Sequence, residues 1–390
     1  QNAEQVGHGY AKKSERTSSK KQTWHFKAPN VHDFVWAADK NYKHQIAQVP
    51  NGPELHFLHK DDENINDNWD SLVGYTIRCF EIMADLVGPY PYKQYSVIQA
   101  GDGGMEYPMA TLISGEGSKG ATISVTVHEA IHSWFQGLLA TNESLYAWMD
   151  EGFTSYYQQI VLDSLYGKKK SNPFNRAYKS YFALHKIGKA EALSTHADHF
   201  VTNRAYGTAA YSTGTIFLNQ LSYVIGDDAF GRAMRQYFET WKYKHPTPTD
   251  FKHIAEKVSG IELDWYFEYW INTTHTIDYG ITAVDRHTDK TIVTLKRKGV
   301  MPMPIDVEIV FEDGSKQDYN IPLRIMRNHK ANSSMTFLEP WPWTFPKYSF
   351  AIPSGKKVDR IVLDPHQKMA DIDTSDNRYP NEDDVIFKAP

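Results

Sequence analysis

Two histidines, His128 and His132, stand four residues apart in an apolar stretch that contains no proline. On an α-helix, residues at this spacing share one face, so both imidazoles can reach the same metal ion. Glu129 lies about 100° around such a helix from His128, where it can reach a metal-activated water without being a ligand. The pattern predicts a helix with metal-dependent hydrolytic chemistry. An ordinary helix carrying two core or solvated histidines is the alternative.

A catalytic zinc site takes three protein ligands and keeps a fourth position open. Glu151 lies 19 residues beyond His132, at the start of a second helical pattern that runs from Asp150 to Leu165. From the first turn of that helix, its carboxylate can project toward the two histidines. A glutamate near a helix N-terminus ordinarily makes a dipole or capping contact, but the combination with the histidine pair favours a metal ligand.

The rest of the chain predicts a mixed α+β organisation. Apolar spacing predicts a helix over 67–86 and mainly helical structure over 121–271. Strands are expected at 31–38, at 54–59, at 95–99, and in a run that follows the glycine-rich turn at 101–104 and ends at Ile113.

Beyond residue 276 the apolar residues alternate with polar ones. Strands are predicted at 291–296, 306–311 and 360–363, with a hairpin turn at 312–315. This part of the chain predicts a small all-β domain, a sandwich.

The charge balance, the cysteine count and the apolar runs limit which partners and sites can be expected. Lysine plus arginine number 42 and aspartate plus glutamate 47, a net charge of −5. That balance gives no reason to expect nucleic acid or an anionic membrane as the main partner. Cys79 is the single cysteine, so neither an intrachain disulfide nor a cysteine zinc site is expected, and a buried small hydrophobe is the interpretation. The chain has no apolar run long enough for a transmembrane segment.

Three blocks together resemble the M1 family of zinc aminopeptidases, the aminopeptidase N and leukotriene hydrolase family of the gluzincins. The first is His-Glu-x-x-His followed by Glu151 in a Trp-x-x-Glu-Gly-Phe setting. The second, 103–108, resembles the G-x-M-E-N exopeptidase motif, with Tyr107 in place of the usual asparagine. The third, 210–214, matches the position of the catalytic tyrosine, here Tyr211, although Thr213 replaces the usual lysine; Tyr206 is the competing tyrosine.

The resemblance implies an α+β fold: a thermolysin-like catalytic domain over 23–275, with a small mixed sheet and a mainly helical subdomain, and a β-sandwich over 276–372. Residues 1–22 are expected to be a flexible lead-in or the remnant of a missing N-terminal β domain, and 373–390 a C-terminal tail. Because the chain starts at Gln1, shows no signal peptide and lacks the family's flanking domains, we expect a processed or partial chain whose upstream domain completes the cleft. The compartment stays open: a secreted or cell-envelope location is favoured, and a cytoplasmic one is the alternative.

The resemblance also implies roles for the site residues, with peptides that carry a free N-terminus as substrates. One Zn²⁺ ion would be held by His128, His132 and Glu151. Glu129 would act as general base and Tyr211 would stabilise the oxyanion. Backbone groups of Gly103, Gly104 and Met105 would line the cleft, and Glu106 would pair with the substrate's α-ammonium.

Other functions stay open at this point. A thermolysin-type endopeptidase would use the same chemistry, although Glu106 argues against it. A non-catalytic scaffold of the same fold is disfavoured by the intact ligands and base. Epoxide hydrolysis, as in the leukotriene enzyme, would use the same zinc. His196 and His199 are a weaker metal candidate with surface histidines as the favoured interpretation, and the glycines at 101–104 lack the spacing of a phosphate loop.

Overall fold

A computed structural model of the chain describes residues 10–16, 22–167, 172–332, 334–353 and 355–380. The chain forms two compact units. The first contains the residues up to 174 together with 196–199 and 234–251, and the second contains 175–195, 200–233 and the residues from 252 onward. Most of the predicted lead-in (1–9 and 17–21) and part of the predicted tail (381–390) lie outside the described residues. None of the described helices is both long enough and apolar enough to cross a lipid bilayer.

The first unit is built on a five-stranded mixed sheet with the strand order β3-β4-β5-β7-β6. The three central strands run parallel, and the outer strands β3 and β6 are antiparallel to their neighbours. A separate antiparallel pair, β1 and β2, precedes it, with β1 inside the segment expected as a lead-in. The strands are β1 (Tyr10–Arg16), β2 (Gln22–Lys27), β3 (Tyr42–Gln48), β4 (Glu54–Lys60), β5 (Gln94–Gln99), β6 (Gly104–Tyr107) and β7 (Ala110–Ile113).

Two strand predictions in this unit are wrong in detail. Residues 31–38 form no strand, and only Trp36 makes an isolated β-bridge. Val35 and Ala37 pack on the apolar cluster of the sheet, while Phe34 and Trp36 are exposed. The run that ends at Ile113 is a hairpin of two strands, β6 and β7, because the chain turns at Met109 with a φ of 68°.

Three helices of the first unit carry apolar faces into its core. They are α1 (Asn66–Leu86), α2 (Lys119–His132) and α3 (Phe153–Leu165), and α2 packs against α1, α3, β6 and β7. Ser118 caps α2 by accepting a hydrogen bond from the Ala121 amide. Two π-helical turns, Ser133–Leu138 and Trp148–Gly152, directly follow α2 and precede α3. A short 3₁₀ turn spans Ala197–His199.

The second unit contains helices and the predicted β-sandwich. Its helices are α4 (Asn175–Lys186), α5 (Asn203–Gly207), α6 (Gly214–Ile225) and α9 (Asp264–Asn272), with a π-helical turn at Thr208–Thr213. Helices α7 (Asp227–Trp241) and α8 (Pro248–Ser259) contribute residues to both units. Every residue of α6 is buried, and most of them are apolar, although the buried set also includes Thr215, Asn219, Gln220 and Ser222.

The β part of this unit consists of two sheets, with strand orders β13-β9-β8 and β12-β11-β10-β14-β15. Tyr319 of one sheet contacts Phe350 of the other with ring centroids 5.9 Å apart, as in a sandwich. The predicted strands at 291–296, 306–311 and 360–363 are confirmed. The strands are β8 (Tyr279–Arg286), β9 (Lys290–Arg297), β10 (Ile305–Phe311), β11 (Lys316–Ile321), β12 (Thr336–Phe337), β13 (Lys347–Pro353), β14 (Val358–Leu363) and β15 (Arg378–Tyr379), with 3₁₀ turns at Arg324–Met326 and Thr374–Asp376.

Candidate metal centre

Helix α2 and the π-helical turn before α3 bring three predicted ligands together in the first unit. The Nε2 atoms of His128 and His132 lie 3.1 Å apart, and Glu151 Oε2 lies 3.1 Å from the first and 3.3 Å from the second. A tetrahedral zinc ion with ligand distances of about 2.0–2.1 Å places its ligand atoms roughly 3.3 Å apart. The edges of this donor triangle, His128–His132–Glu151, therefore fit such an ion.

The far side of each imidazole is held by a second residue. His132 Nδ1 lies 2.5 Å from Asp150 Oδ1, and His128 Nδ1 lies 3.3 Å from Gln158 Oε1. Gln158 Nε2 in turn donates to the Ser124 carbonyl at 2.9 Å, which orients the amide so that its oxygen faces His128. A neutral imidazole that donates through Nδ1 in these contacts would keep its Nε2 lone pair for the donor triangle, the arrangement that commonly orients metal-binding histidines.

Sequence reasoning missed Asp150 and Gln158. The available signals were weak: Asp150 directly precedes Glu151, and Gln158 lies two helical turns farther along α3. A hydrogen bond to the remote nitrogen of an imidazole leaves no periodic pattern in the sequence.

In this cluster, burial and the neighbouring charges shift the pKa values of His132 and Glu151 in opposite directions. Burial alone would lower the pKa of His132, but the carboxylates of Asp150 and Glu151 raise it well above its usual value. Burial raises the pKa of Asp150 to about 7. The pKa of Glu151 is lowered by His132 and His128 although burial opposes this shift. Glu151 is therefore the carboxylate most strongly kept in its charged, ligand form.

Glu129 points a buried carboxylate into the same region. Glu129 is only 6% exposed, and its Oε2 atom has no hydrogen-bond partner among the described residues. Burial raises the pKa of Glu129 to about 7 although His132 and His128 oppose the shift. A buried acceptor without a partner is costly unless water or a ligand satisfies it, so this oxygen marks a place for one.

Gly104, the first residue of β6, lies directly over Glu129. A Cβ atom at this position would lie 2.5 Å from Glu129 Oε1 and 2.7 Å from Val125 Cγ2. A larger residue at this position would have to displace the side chains of Glu129 and Val125. The neighbouring Gly103 is exposed, and Met105 is half-buried on the same strand.

Glu106 lies two residues farther along β6, the outermost strand of the sheet, and is half-buried. Its carboxylate and donor atoms of Glu129 and His132 all lie within 4.8 Å of one another. Burial raises the pKa of Glu106 to about 7, although the charge of His132 opposes this. The structure thus brings five predicted site residues together: His128, Glu129, His132, Glu151 and Glu106.

The predicted tyrosine belongs to the second unit. Tyr211 is half-buried on the π-helical turn Thr208–Thr213, and its competitor Tyr206 contacts Phe200 with ring centroids 5.5 Å apart. The role of Tyr211 stays a prediction.

The weaker candidates show no site among the described residues. His196 and His199 lie with ring centroids 4.9 Å apart but form no group with a third metal-ligating side chain. Cys79 is fully buried and burial raises its pKa to about 12, so its prediction as a small hydrophobe is confirmed.

Comparison with known proteins decides the family. The model of the peptidase family M1 domain matches residues 73–270, half of the chain. This chain belongs to peptidase family M1. The matched segment includes the donor triangle, Glu129, Glu106 and Tyr211, so the resemblance seen in the sequence motifs is confirmed at the level of the family.

Two relatives show what share of a longer family protein this chain spans. It is 27% identical over 229 residues to leucine aminopeptidase 2 of Emericella nidulans, covering 53% of this chain and 35% of that protein. It is 26% identical over 302 residues to the leukotriene A-4 hydrolase homolog of Botryotinia fuckeliana, covering 67% and 44%. The chain thus spans less than half the length of either relative.

Solved structures show the same fold. Legionella pneumophila aminopeptidase A, solved in complex with aspartic acid, aligns over 94% of this chain and 42% of its own with a TM-score of 0.67 and 13% identity. An M1 zinc metallopeptidase from Deinococcus radiodurans aligns over 69% and 60% with a TM-score of 0.55 and 18% identity. The predicted α+β fold of an M1 metallopeptidase is therefore confirmed.

Proposed function

We propose that this chain is a zinc-dependent aminopeptidase that removes the N-terminal residue from peptides. One observation carries the proposal: the donor triangle lies beside a buried, unpartnered carboxylate oxygen of Glu129 and a second carboxylate, Glu106. The donor triangle and Glu129 supply a metal site with a base next to it, and Glu106 supplies a negative charge within 4.8 Å of Glu129 and His132.

His128, His132 and Glu151 would hold the zinc ion. Two imidazoles and one carboxylate are the ligand set of many catalytic zinc sites. When bound, zinc supplies Lewis acidity that activates a water molecule and polarises the substrate carbonyl. The Asp150 and Gln158 contacts support this role because they fix both histidines in the tautomer that leaves Nε2 free.

Glu129 is proposed as the general base. It is buried and lies next to His132 without belonging to the donor triangle, and its Oε2 atom can accept a proton from the attacking water. The same carboxyl group can then return the proton to the leaving amine. Gly104 supports the assignment because a Cβ atom there would lie 2.5 Å from Glu129 Oε1 and would crowd the carboxylate.

Glu106 is proposed to pair with the substrate's α-ammonium group through a charge-assisted contact. It lies on the outermost strand of the sheet, where the backbone of 103–105 can present hydrogen-bonding groups to an extended peptide. A carboxylate at this point would bind the α-ammonium group of the first residue and would leave no room for a residue before it. This feature favours an aminopeptidase over an endopeptidase, and the complete donor triangle disfavours a non-catalytic scaffold.

Tyr211 is proposed to donate a hydrogen bond to the oxyanion of the tetrahedral species. Its motif position supports this. So does its placement in a π-helical turn, a feature shared by Glu151 and by the turn that follows His132. Such turns are frequent at functional sites.

The test compares zinc-loaded protein on aminoacyl-arylamides with free and with N-acetylated amines. We expect hydrolysis of the free amines only. We expect Glu106→Ala to lower kcat/KM for the free amines, so that the ratio of kcat/KM between the two series falls toward one. Glu63→Ala, which removes an exposed carboxylate before α1, is the control and should keep the ratio. Equal cleavage of both series by the wild type would indicate an endopeptidase. Zinc binding without turnover of any peptide substrate, by this chain and by a version extended upstream, would indicate a scaffold.

A further inference from the structure

Tyr95 of β5 points from the sheet toward helix α2. In the register of the sheet, Thr111 of β7 lies opposite Val97 of β5 on one side and opposite Glu106 of β6 on the other. Directly paired residues lie on the same face of a sheet, and Tyr95, two residues before Val97, shares that face. Glu106 lies on it and groups with side chains of α2. Tyr95 therefore lies on the face of the sheet that carries the site.

The hydroxyl of Tyr95 is buried beside polar groups. Tyr95 is fully buried, and contacts with the rings of Phe80 and Tyr90, at centroid distances of 5.2 Å and 6.1 Å, hold its own ring in place. Burial raises the pKa of Tyr95 well above its usual value, the charge of Glu129 raises it further, and the hydroxyl of Ser133 lowers it. Glu129 and Ser133 therefore lie close to the Tyr95 hydroxyl.

Three buried oxygen atoms of this region have no hydrogen-bond partner among the described residues. They are Tyr95 Oη, Ser133 Oγ and Glu129 Oε2. Ser133 follows Glu129 by four residues and keeps helical dihedral angles, so both side chains lie on one face of the helix. A buried water molecule typically makes about three hydrogen bonds to groups of this kind. One water can accept from both hydroxyls and donate to the carboxylate, and the second lone pair of Glu129 Oε2 stays available for the attacking water.

From this arrangement we infer that Tyr95 is a positioning residue that holds the Glu129 carboxylate through one buried water molecule shared with Ser133. The inference rests on the proposed function, in which Glu129 is the general base. A carboxylate that is fixed on its buried side keeps its orientation toward the attacking water, and a small misplacement of a catalytic group lowers the rate strongly. Glu129 has no proposed contact with the substrate before the chemical step, so the contribution of Tyr95 belongs in kcat rather than in KM.

The test compares Tyr95→Phe with the zinc-loaded wild type on aminoacyl-arylamides with free amines. We expect Tyr95→Phe to lower kcat by about 10-fold, with KM and zinc content unchanged. Ser133→Ala should lower kcat as well, and the double variant should lose no more than Tyr95→Phe alone, because both hydroxyls hold the same water. Tyr237→Phe is the matched control and should keep the wild-type kcat. Tyr237 is 1% exposed and its hydroxyl also has no partner in the described part of the chain, but it lies on α7.

A crystal structure gives a readout that does not need turnover. The zinc-loaded wild type should contain a water molecule within hydrogen-bonding distance of the Tyr95 hydroxyl, the Ser133 hydroxyl and the Glu129 carboxylate. Tyr95→Phe should lose this water and show the Glu129 carboxylate displaced, whereas Tyr237→Phe should keep both in place.

The outcomes separate the inference from the proposed function. A wild-type kcat in Tyr95→Phe, or a kcat that falls together with zinc content, overturns the positioning role, while cleavage of free N-termini leaves the proposed function standing. If neither this chain nor a version extended upstream turns over a peptide substrate, the proposed function is removed and the crystal structures decide the inference. A wild-type structure without the bridging water then overturns it, and loss of that water with a displaced carboxylate in Tyr95→Phe supports it.

Discussion

At the scale of single residues, Glu129 is the side chain on which turnover depends most directly. We expect Glu129→Gln to retain zinc and to lower kcat by at least about 100-fold, because a carboxamide cannot accept the proton of the attacking water. Metal content and kcat are measured on the same preparation. A zinc-loaded variant with near wild-type kcat would remove Glu129 from the role of base.

Gly104 provides a steric test of the same carboxylate. We expect Gly104→Ala to lower kcat by about 10-fold or more while zinc stays bound, because the new methyl group would displace Glu129 and Val125. Gly101→Ala is the matched control, since a Cβ atom there meets no atom within 4 Å. If both variants keep wild-type activity, the close approach of β6 to α2 has no catalytic consequence.

At the scale of elements, the loop that leads from β7 into α2 holds the ligand helix against α1. Gly115 in this loop has a φ of +66°, and a Cβ atom there would lie 2.5 Å from the ring of the fully buried Trp69. We expect Gly115→Ala to lower the free energy of unfolding by roughly 2 kcal/mol or more, from overpacking and from the left-handed backbone.

Gly120→Ala, in the first turn of α2, is the control for that substitution. A Cβ atom there meets nothing within 4 Å, and alanine favours a helix over glycine by roughly 0.5–1 kcal/mol. Urea unfolding of the two variants gives the comparison. Equal stability of both would show that the contact between Gly115 and Trp69 does not hold α2 in place.

The elements also show where sequence reasoning succeeds and where it stops. The spacing of His128 and His132 predicts that both imidazoles reach the same metal ion, because residues four apart on a helix lie on one face. The hairpin β6–β7 was predicted as one run because apolar residues continue through the turn at Met109, whose positive φ is not encoded by a glycine. Residues 31–38 alternate because they lie on the sheet, and a single sequence does not distinguish packing on a sheet from pairing within one. Asp150 and Gln158 act through hydrogen bonds that tertiary packing alone creates.

At the scale of the whole molecule, a buried carboxyl group couples stability of the second unit to pH. Asp371 accepts hydrogen bonds from the Tyr279 amide at 3.2 Å and from Asn377 Nδ2 at 3.1 Å. Burial nevertheless raises its pKa to about 7, above the value of about 3.9 for an unfolded chain. The folded state therefore retains a proton that the unfolded state has released, and this contribution to stability is lost as pH rises from about 4 through 7.

We expect Asp371→Asn to lose less stability than the wild type between pH 5 and pH 8, because an amide does not titrate. Urea unfolding at the two pH values measures the difference. Asp359→Asn, which changes an exposed residue of β14, is the control and should follow the wild type. Parallel pH profiles of the wild type and Asp371→Asn would contradict the coupling.

Zinc content per chain tests the central claim most directly. The protein is stripped of metal, reloaded with zinc, dialysed, and analysed beside Glu151→Ala, which removes one corner of the donor triangle. We predict one zinc ion per wild-type chain and a large loss of zinc from the variant, with hydrolysis of free N-termini following the zinc content. A wild-type chain that retains no stoichiometric zinc, or a variant that retains as much as the wild type, would contradict it.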